Sequence, residues 1–294
     1  MELKIDVEDF RYQPGKYKSV TEIPTQIDDI YDSKKHYAKL LEEYTEEIHE
    51  LQDIMYAHDR YALLLIFQGM DTAGKDGAIR HVMSGINPLG INVAVFKKPN
   101  DQELDHDWMW RTNNHMPERG RIALFNRSYY EEVLVVKVHP EIVQKYQRIP
   151  KEMTADLDKL WEQRYADIRN LEEYHYRNGT HVLKFYFHMS KDEQKRRLLE
   201  RIDEPEKNWK MSLQDIAERK HWDAYMDAYH DLLEATHTPE SPWYVIPADD
   251  KKNARLIISQ VILSHIKALH MGYPEVSESY KAEMLAAKEA LLAE

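Results

Sequence analysis

The sequence predicts an α/β domain, a parallel sheet covered by helices on both faces with a lid-like helical insertion. Three observations predict it. Strand-like apolar runs alternate with segments of helical period along the whole chain. The first such run, 61–67, carries no charge, as expected for a strand buried on both faces. That run opens into a glycine-bearing loop, and the loop leads straight into a segment of helical period. No Ser/Gly-rich linker or internal repeat divides the 294 residues, so the chain reads as one domain, 1–294.

Each element follows from local chemistry. Residues 1–32 carry Pro14, Gly15 and Pro24 with little periodicity, and read as an extended arm. Over 33–60, Leu40, Leu41, Tyr44, Ile48, Leu51 and Met55 recur at helical spacing, which predicts an amphipathic packing helix. Ala78, Ile79, Val82 and Met83 give the helix after the loop. Strand two is 91–96, β-branched at Ile91, Val93 and Val95. A helix is predicted over 103–116, broken by Pro117, and strand three over 121–125. Residues 139–153, with Pro140 and Pro150, read as a loop. A long helix over 154–176 closes on Asn178-Gly179, and strand four is 181–187. Ser190 and Glu193 have the spacing of a capping box. The helix they start is stopped by Asp203-Glu204-Pro205. A loop at 207–210 and a helix from Ser212 to about His237 complete a basic lid over 190–237. Strand five is 243–247, and the C-terminal region 250–294 holds two helices, 252–270 and 275–292.

Composition narrows the functions. A net charge of −12 argues against a general nucleic-acid binder, so an anionic substrate needs a local basic patch. With no Cys there are no disulfides, no thiolate catalysis and no Cys-held metal, which suits the cytoplasm. The start, MELKIDVEDF, is not a signal peptide, and no segment is long and apolar enough to span a membrane.

The loop Gly69-Met70-Asp71-Thr72-Ala73-Gly74-Lys75 has the spacing of a phosphate-binding loop. Gly69, Ala73 and Gly74 let backbone N–H groups curl round a phosphate, the new helix points its positive end there, and Lys75 adds a full charge. The usual loop follows its Lys with Ser or Thr on Mg²⁺, but here the next residue is Asp76. A carboxylate beside phosphate needs a metal between, so Asp71 is expected to face Mg²⁺. Asp76 reads either as a second metal-facing group or as a helix-start residue favoured by the dipole.

Ligands of such sheets bind at the carboxyl ends of the strands. There the second strand delivers Lys97 and Lys98, and the third Asn126, Arg127, Glu131 and Glu132. The helix after the fourth strand delivers Arg196, Arg197 and Arg201, followed by Lys207 and Lys210. Arg197 and Arg201 share a helix face. The basic run reads as a phosphate-gripping lid, weighed against a solvated face paired with Glu193 and Glu200. Most of the six Trp read as packing residues, with Trp209, between two Lys, as the exception.

The segments GMDTAGKDGAI, FKKPNDQELDHDWMWR, FNRSYYEE and RIDEPEKNWKMS, in this order, resemble the family-2 polyphosphate kinases over about residues 35–270. The resemblance implies a three-layer P-loop kinase fold with a five-stranded parallel sheet, the first strand between the third and fourth, and a helical lid. It implies transfer of phosphoryl groups between inorganic polyphosphate and nucleotides (AMP or ADP, with GMP or GDP as guanine equivalents) without a side-chain nucleophile. The cofactor it implies is Mg²⁺, with Mn²⁺ as a substitute. On this chain Asp71 would bind the metal, Lys75 the transferring phosphate, and Lys97 and Lys98 the polyphosphate path. Arg127 and Arg197 or Arg201 would stabilise the transition state. Many members have Asp where this chain has Asn126, so no metal charge comes from there. Asn126 paired with Glu131 resembles the nucleotide site of the class III subgroup, which accepts both mono- and diphosphates. The resemblance also implies a homo-oligomer, a dimer or tetramer. Two other readings compete: an ATP-dependent nucleoside monophosphate kinase, disfavoured by Asp76 and the extended basic residues, and a nucleotide-binding switch module, disfavoured by the basic lid.

Overall fold

The computed structural model describes residues 6–294. Its centre is a five-stranded parallel sheet in the order β2-β3-β1-β4-β5. The strands are β1 (Ala62–Gly69), β2 (Ile91–Val95), β3 (Ile122–Asn126), β4 (Thr180–His188) and β5 (Trp243–Pro247). The charge-free run is the middle strand, and every residue of β1 is buried. Paired on both edges and covered on both faces, β1 has nowhere to solvate a charge. The first strand does lie between the third and fourth. Because β2 and β3 lie to one side of β1 and β4 and β5 to the other, the carboxyl end of β1 is a switch point where ligands bind.

Two groups of helices cover the sheet. The amphipathic helix Lys34–His58 and the loop helix Lys75–Val82 pack with Lys251–Ala268. The long helix Leu157–Arg177 packs against β4 and against Trp222–Thr236. The first five residues of the expected arm lie outside the described residues. From Asp6 the arm holds two 3-10 turns, Val7–Phe10 and Val20–Glu22, and is tied to β5 by Tyr12 N donating to the Trp243 carbonyl at 2.9 Å.

Several elements differ from expectation, in three places where a side chain captures a backbone group. The helix predicted over 103–116 is two short ones, Asp101–Leu104 and Trp110–Asn113. The Asp107 carboxylate accepts from Met109 N at 2.9 Å and starts a new turn there. The lid helix predicted from Ser212 breaks at a 3-10 turn, Arg219–His221, between Leu213–Glu218 and Trp222–Thr236. Arg219 is pulled aside to donate to the Lys191 carbonyl (2.6 Å) and Gln194 Oε1 (2.9 Å). The long helix begins at Leu157, where Asp156 caps Lys159 N. The loop at 139–153 contains a helix, Glu141–Lys145, and the loop at 207–210 is part of a 3-10 turn, Pro205–Lys210. Only half of the capping box at Ser190 forms: Ser190 Oγ accepts from Glu193 N, while Ser190 N donates to Asp249 at 2.8 Å. Arg196 and Arg197 hold the Glu193 carboxylate.

Candidate active site

Backbone geometry shapes the loop between β1 and its helix. A Cβ at Gly69 would lie 2.8 Å from the Phe187 Cβ, so only glycine lets the loop leave the sheet this close to β4. Gly74 caps the helix at φ 106°. Between them Thr72 sits at φ 69°, left-handed backbone that costs a non-glycine residue about 1–3 kcal/mol and clusters at functional sites. The result is a concavity of backbone N–H groups at a helix start, an anion cradle.

Lys75 opens the helix with its side chain folded back under the loop. Its Nζ donates to the carbonyls of Gly69 (2.6 Å) and Met70 (3.2 Å), and the residue is only 6% exposed. Burial, assisted by the nearby Arg127 charge, pulls its pKa down to about 8.

The register of the sheet sets the other wall. Asn126 ends β3 opposite Phe67, and Arg127 N donates to the Phe67 carbonyl at 3.0 Å. Arg127 then takes a left-handed φ of 65°, which swings its guanidinium across to β1. There it pairs with Asp71 and, at 3.0 Å, with Glu131. Glu131 first and Asp71 second raise the guanidinium's hold on its proton, against partial burial. Asn126 Nδ2 donates to Asp76 Oδ1 at 2.6 Å. The structure thus gathers Asp71, Lys75, Asp76, Asn126, Arg127 and Glu131 at the carboxyl ends of β1 and β3.

The lid arginines diverge. Arg197, 4% exposed, is a brace for the loop. Its Nε donates to Glu193, Nη1 to the carbonyls of Thr72 and Ala73, and Nη2 to those of Ala248 and Asp249, all within 3.0 Å. All five of its N–H donors are therefore engaged. Arg201 faces the other arm of the lid, on Asp215 Oδ2 and the Lys210 carbonyl, each at 3.1 Å. Arg196 is exposed and chelated by Glu193 and Glu200, the solvated face weighed against the lid reading. Lys207 is held by Glu200 and Glu204, and Lys210 sits 5.0 Å over the ring of Trp209. Lys97 and Lys98 are exposed beyond β2, and no hydrogen bond or ion pair joins them to the loop among the described residues.

Three participants had not been singled out. Gln194 Nε2 donates to the Asp71 carbonyl at 3.2 Å. It lies three residues before Arg197 and seven before Arg201, so a helical stripe could have revealed it. Asp215 arrives from the far arm of the lid; burial and then the Asp71 charge raise its pKa, with Arg127 and Lys75 also acting on it. Tyr229 is within electrostatic reach of Glu131 and Arg127. Nothing local marks Asp215 or Tyr229, because only the folding of the lid brings them here.

Among the described residues no group of three His, Cys, Asp or Glu is gathered for a metal. Mg²⁺ is commonly held by one or two carboxylates together with substrate phosphates. Asp71, partly exposed at the mouth of the cradle, and the exposed Asp76 fit that donor chemistry.

An anion cradle at the end of β1, faced by an arginine from the adjoining strand and braced by the basic helix Lys191–Asp203, fits the class of P-loop phosphotransferases. Comparison with known proteins narrows the class. Residues 31–272 match the model of the family described as polyphosphate kinase 2, and the chain belongs to that family. It is 51% identical to an ADP-polyphosphate phosphotransferase of Rhodopseudomonas palustris, over 99% of this chain and 100% of that protein. It is 37% identical to an AMP/ADP-polyphosphate phosphotransferase of Meiothermus ruber, over 90% of this chain and 95% of the relative. The crystal structure of polyphosphate kinase 2 from Arthrobacter aurescens superposes with a TM-score of 0.87 at 36% identity, covering 98% of this chain and 99% of that one.

Proposed function

We propose that this enzyme is a polyphosphate:nucleotide phosphotransferase. It moves the terminal phosphoryl group of inorganic polyphosphate onto a nucleoside mono- or diphosphate, and runs in reverse. The observation that carries the reading is the junction of β1 and β3, where the loop cradle and Lys75 face Arg127 across the switch point. The bond from the transferred phosphorus to the shortened polyphosphate breaks as the bond to the nucleotide's terminal oxygen forms, with no covalent enzyme intermediate.

The residues act by position and charge. The loop N–H groups and Lys75 hold the transferring group. Arg127, now shared between two carboxylates, exchanges them for phosphate oxygens when substrate arrives, and its planar fork suits that geometry. Arg201 does the same from the lid, leaving Asp215. Arg197, with every donor engaged, keeps the loop in shape. Asp71, with Asp76 nearby, would hold Mg²⁺, which would supply neutralising charge for the phosphates. Lys97, Lys98, Lys207 and Lys210 line the approach of the polyanion. Asn126 and Glu131 face the nucleotide, and the pair supports the class III reading in which AMP and ADP both serve. Guanine nucleotides, a cytoplasmic setting and a homo-oligomer belong to the same proposal. No helix among the described residues is long and apolar enough to cross a membrane.

Turnover with polyphosphate and ADP, then with AMP, tests the reading, with ATP and AMP alone as control. Transfer from ATP but not from polyphosphate would replace it with a nucleoside monophosphate kinase. Activity with ADP but none with AMP would remove the class III assignment alone.

A further inference from the structure

Beneath Arg127 lies a buried network that none of the phosphate chemistry uses. The turn after β3, Tyr129–Val133, is a 3-10 turn, in which adjacent side chains point about 120° apart. Yet the hydroxyls of the adjacent Tyr129 and Tyr130 converge on one oxygen, Glu172 Oε1, at 2.9 and 2.8 Å. The other oxygen, Oε2, accepts from Lys184 Nζ at 2.6 Å. Lys184 completes its three donors on the Thr236 carbonyl (2.8 Å) and the Tyr130 hydroxyl (3.2 Å). Tyr129, Tyr130, Glu172 and Lys184 are all at most 2% exposed.

Stability alone does not explain such a cluster. Removing two charges from water costs about as much as their attraction returns, and apolar side chains of equal volume commonly hold a fold as well. What the cluster supplies is direction. Two hydroxyls fixed to one carboxylate oxygen leave the turn no freedom to rotate. Ser128 Oγ, which accepts from Tyr130 N at 3.1 Å, and Glu132, gripped by Arg164, anchor the same turn on its inner side. Residues 128, 129, 130 and 132 are buried, while Arg127 and Glu131 are left facing the cradle.

We propose that Glu172, with Lys184 as its counter-charge, positions Arg127 and Glu131 for phosphoryl transfer by clamping Tyr129 and Tyr130. These four are positioning residues; they touch no substrate. The inference rests on the role given to Arg127 above.

A double-mutant cycle tests it. Tyr129→Phe/Tyr130→Phe removes only two hydroxyl oxygens from the clamp. It is expected to lower kcat about tenfold or more, while KM for polyphosphate and for ADP stays within about twofold. Glu172→Gln, which keeps an acceptor for the hydroxyls, should retain more kcat than Glu172→Leu. In an Arg127→Lys background the added loss from the tyrosine pair should shrink to about twofold or less, because the aim of a guanidinium no longer matters. The same fold-loss in both backgrounds overturns the proposal and leaves the clamp structural. Full kcat in a folded tyrosine variant overturns it as well. If the double variant fails to fold, the single Tyr129→Phe and Tyr130→Phe variants run the same cycle, each leaving one hydroxyl on Glu172. Arg127→Lys with parental kcat would sink the role of Arg127 and this inference together, a result distinct from additive losses.

Discussion

The turn after β3 and the basic lid both bring arginine to the same cradle, but they hold it in opposite ways. Under Arg127 lies a stack of fully buried, fully paired groups, and the residue itself sits in left-handed backbone. In the lid Arg201, Arg196 and Lys207 are partly or largely exposed, and each is paired with carboxylates of the lid's own segments. A charge carried on a core-fixed turn changes only its partners, from Asp71 and Glu131 to phosphate, while the backbone that aims it stays in place. A charge paired with a carboxylate of its own segment travels with that segment, as a closing lid requires. Arg197 shows that sequence position does not decide between these: it lies on the lid helix yet belongs to the core.

The largest expected effect is on the fixed side. Lys75→Ala should cut turnover by about 10² or more with circular dichroism unchanged, since it removes a charge aimed at the transferring group. A folded variant with near-parental turnover would break the loop assignment. Next is Asp71→Asn. A carboxylate about 4 Å from a phosphate charge is repelled by about 4 kcal/mol at an effective dielectric of 20, so it needs the metal. Rate and apparent Mg²⁺ affinity should fall together, by about tenfold or more, with a smaller loss for Asp76→Asn. Titration of activity with Mg²⁺ checks both, and unchanged Mg²⁺ dependence in Asp71→Asn would remove the metal role.

Arg197→Ala and Arg201→Ala set the two regions directly against each other. Arg197→Ala leaves four carbonyls without this donor and Glu193 with Arg196 alone, and should destabilise the fold by about 3 kcal/mol. Arg201→Ala should cost less in stability, about 1–2 kcal/mol, and lower turnover by a factor that shrinks as added salt screens the charge. Thermal melts and rates at several ionic strengths separate them; equal Tm losses would erase the distinction.

A subtler effect comes from pH. The buried Lys75 ammonium has a pKa of about 8, against 10.5 for a free side chain. Its charge is lost as pH rises through about 8, so kcat/KM, which reports the free enzyme, should fall on that limb. The stability sign is opposite. Between about pH 8 and 10.5 the unfolded chain binds the extra proton, so this residue's contribution makes the fold more stable as pH rises. Smallest of all should be Trp209→Ala. The residue is 78% exposed and its ring lies under Lys210's charge, so kcat should stay within about twofold.

The sequence by itself determined the strands, their parallel arrangement, the glycine loop and the identity of the charges at the strand ends, while the place of β1 between β3 and β4 was implied by the family resemblance. The strands, the loop and the charges are local or periodic facts: an uncharged run suits a strand buried on both faces, and a glycine loop opening a helix turns its N–H groups toward one point. The limits of the long helices were missed where Asp107, Asp156 or Arg219 took a backbone partner of its own, and the short helix Glu141–Lys145 and turn Pro205–Lys210 were read as loops. Only the tertiary structure decided what each charge does. Arg196 and Arg197 are neighbours in a basic run, yet one meets solvent and the other five acceptors from three separate segments. Asp215 and the Glu172 clamp reach the site by contacts across tens of residues, and no local pattern encodes them. A residue type fixes how strongly a group can bind charge; which partner it finds, and whether water competes, is fixed only when distant segments close around it.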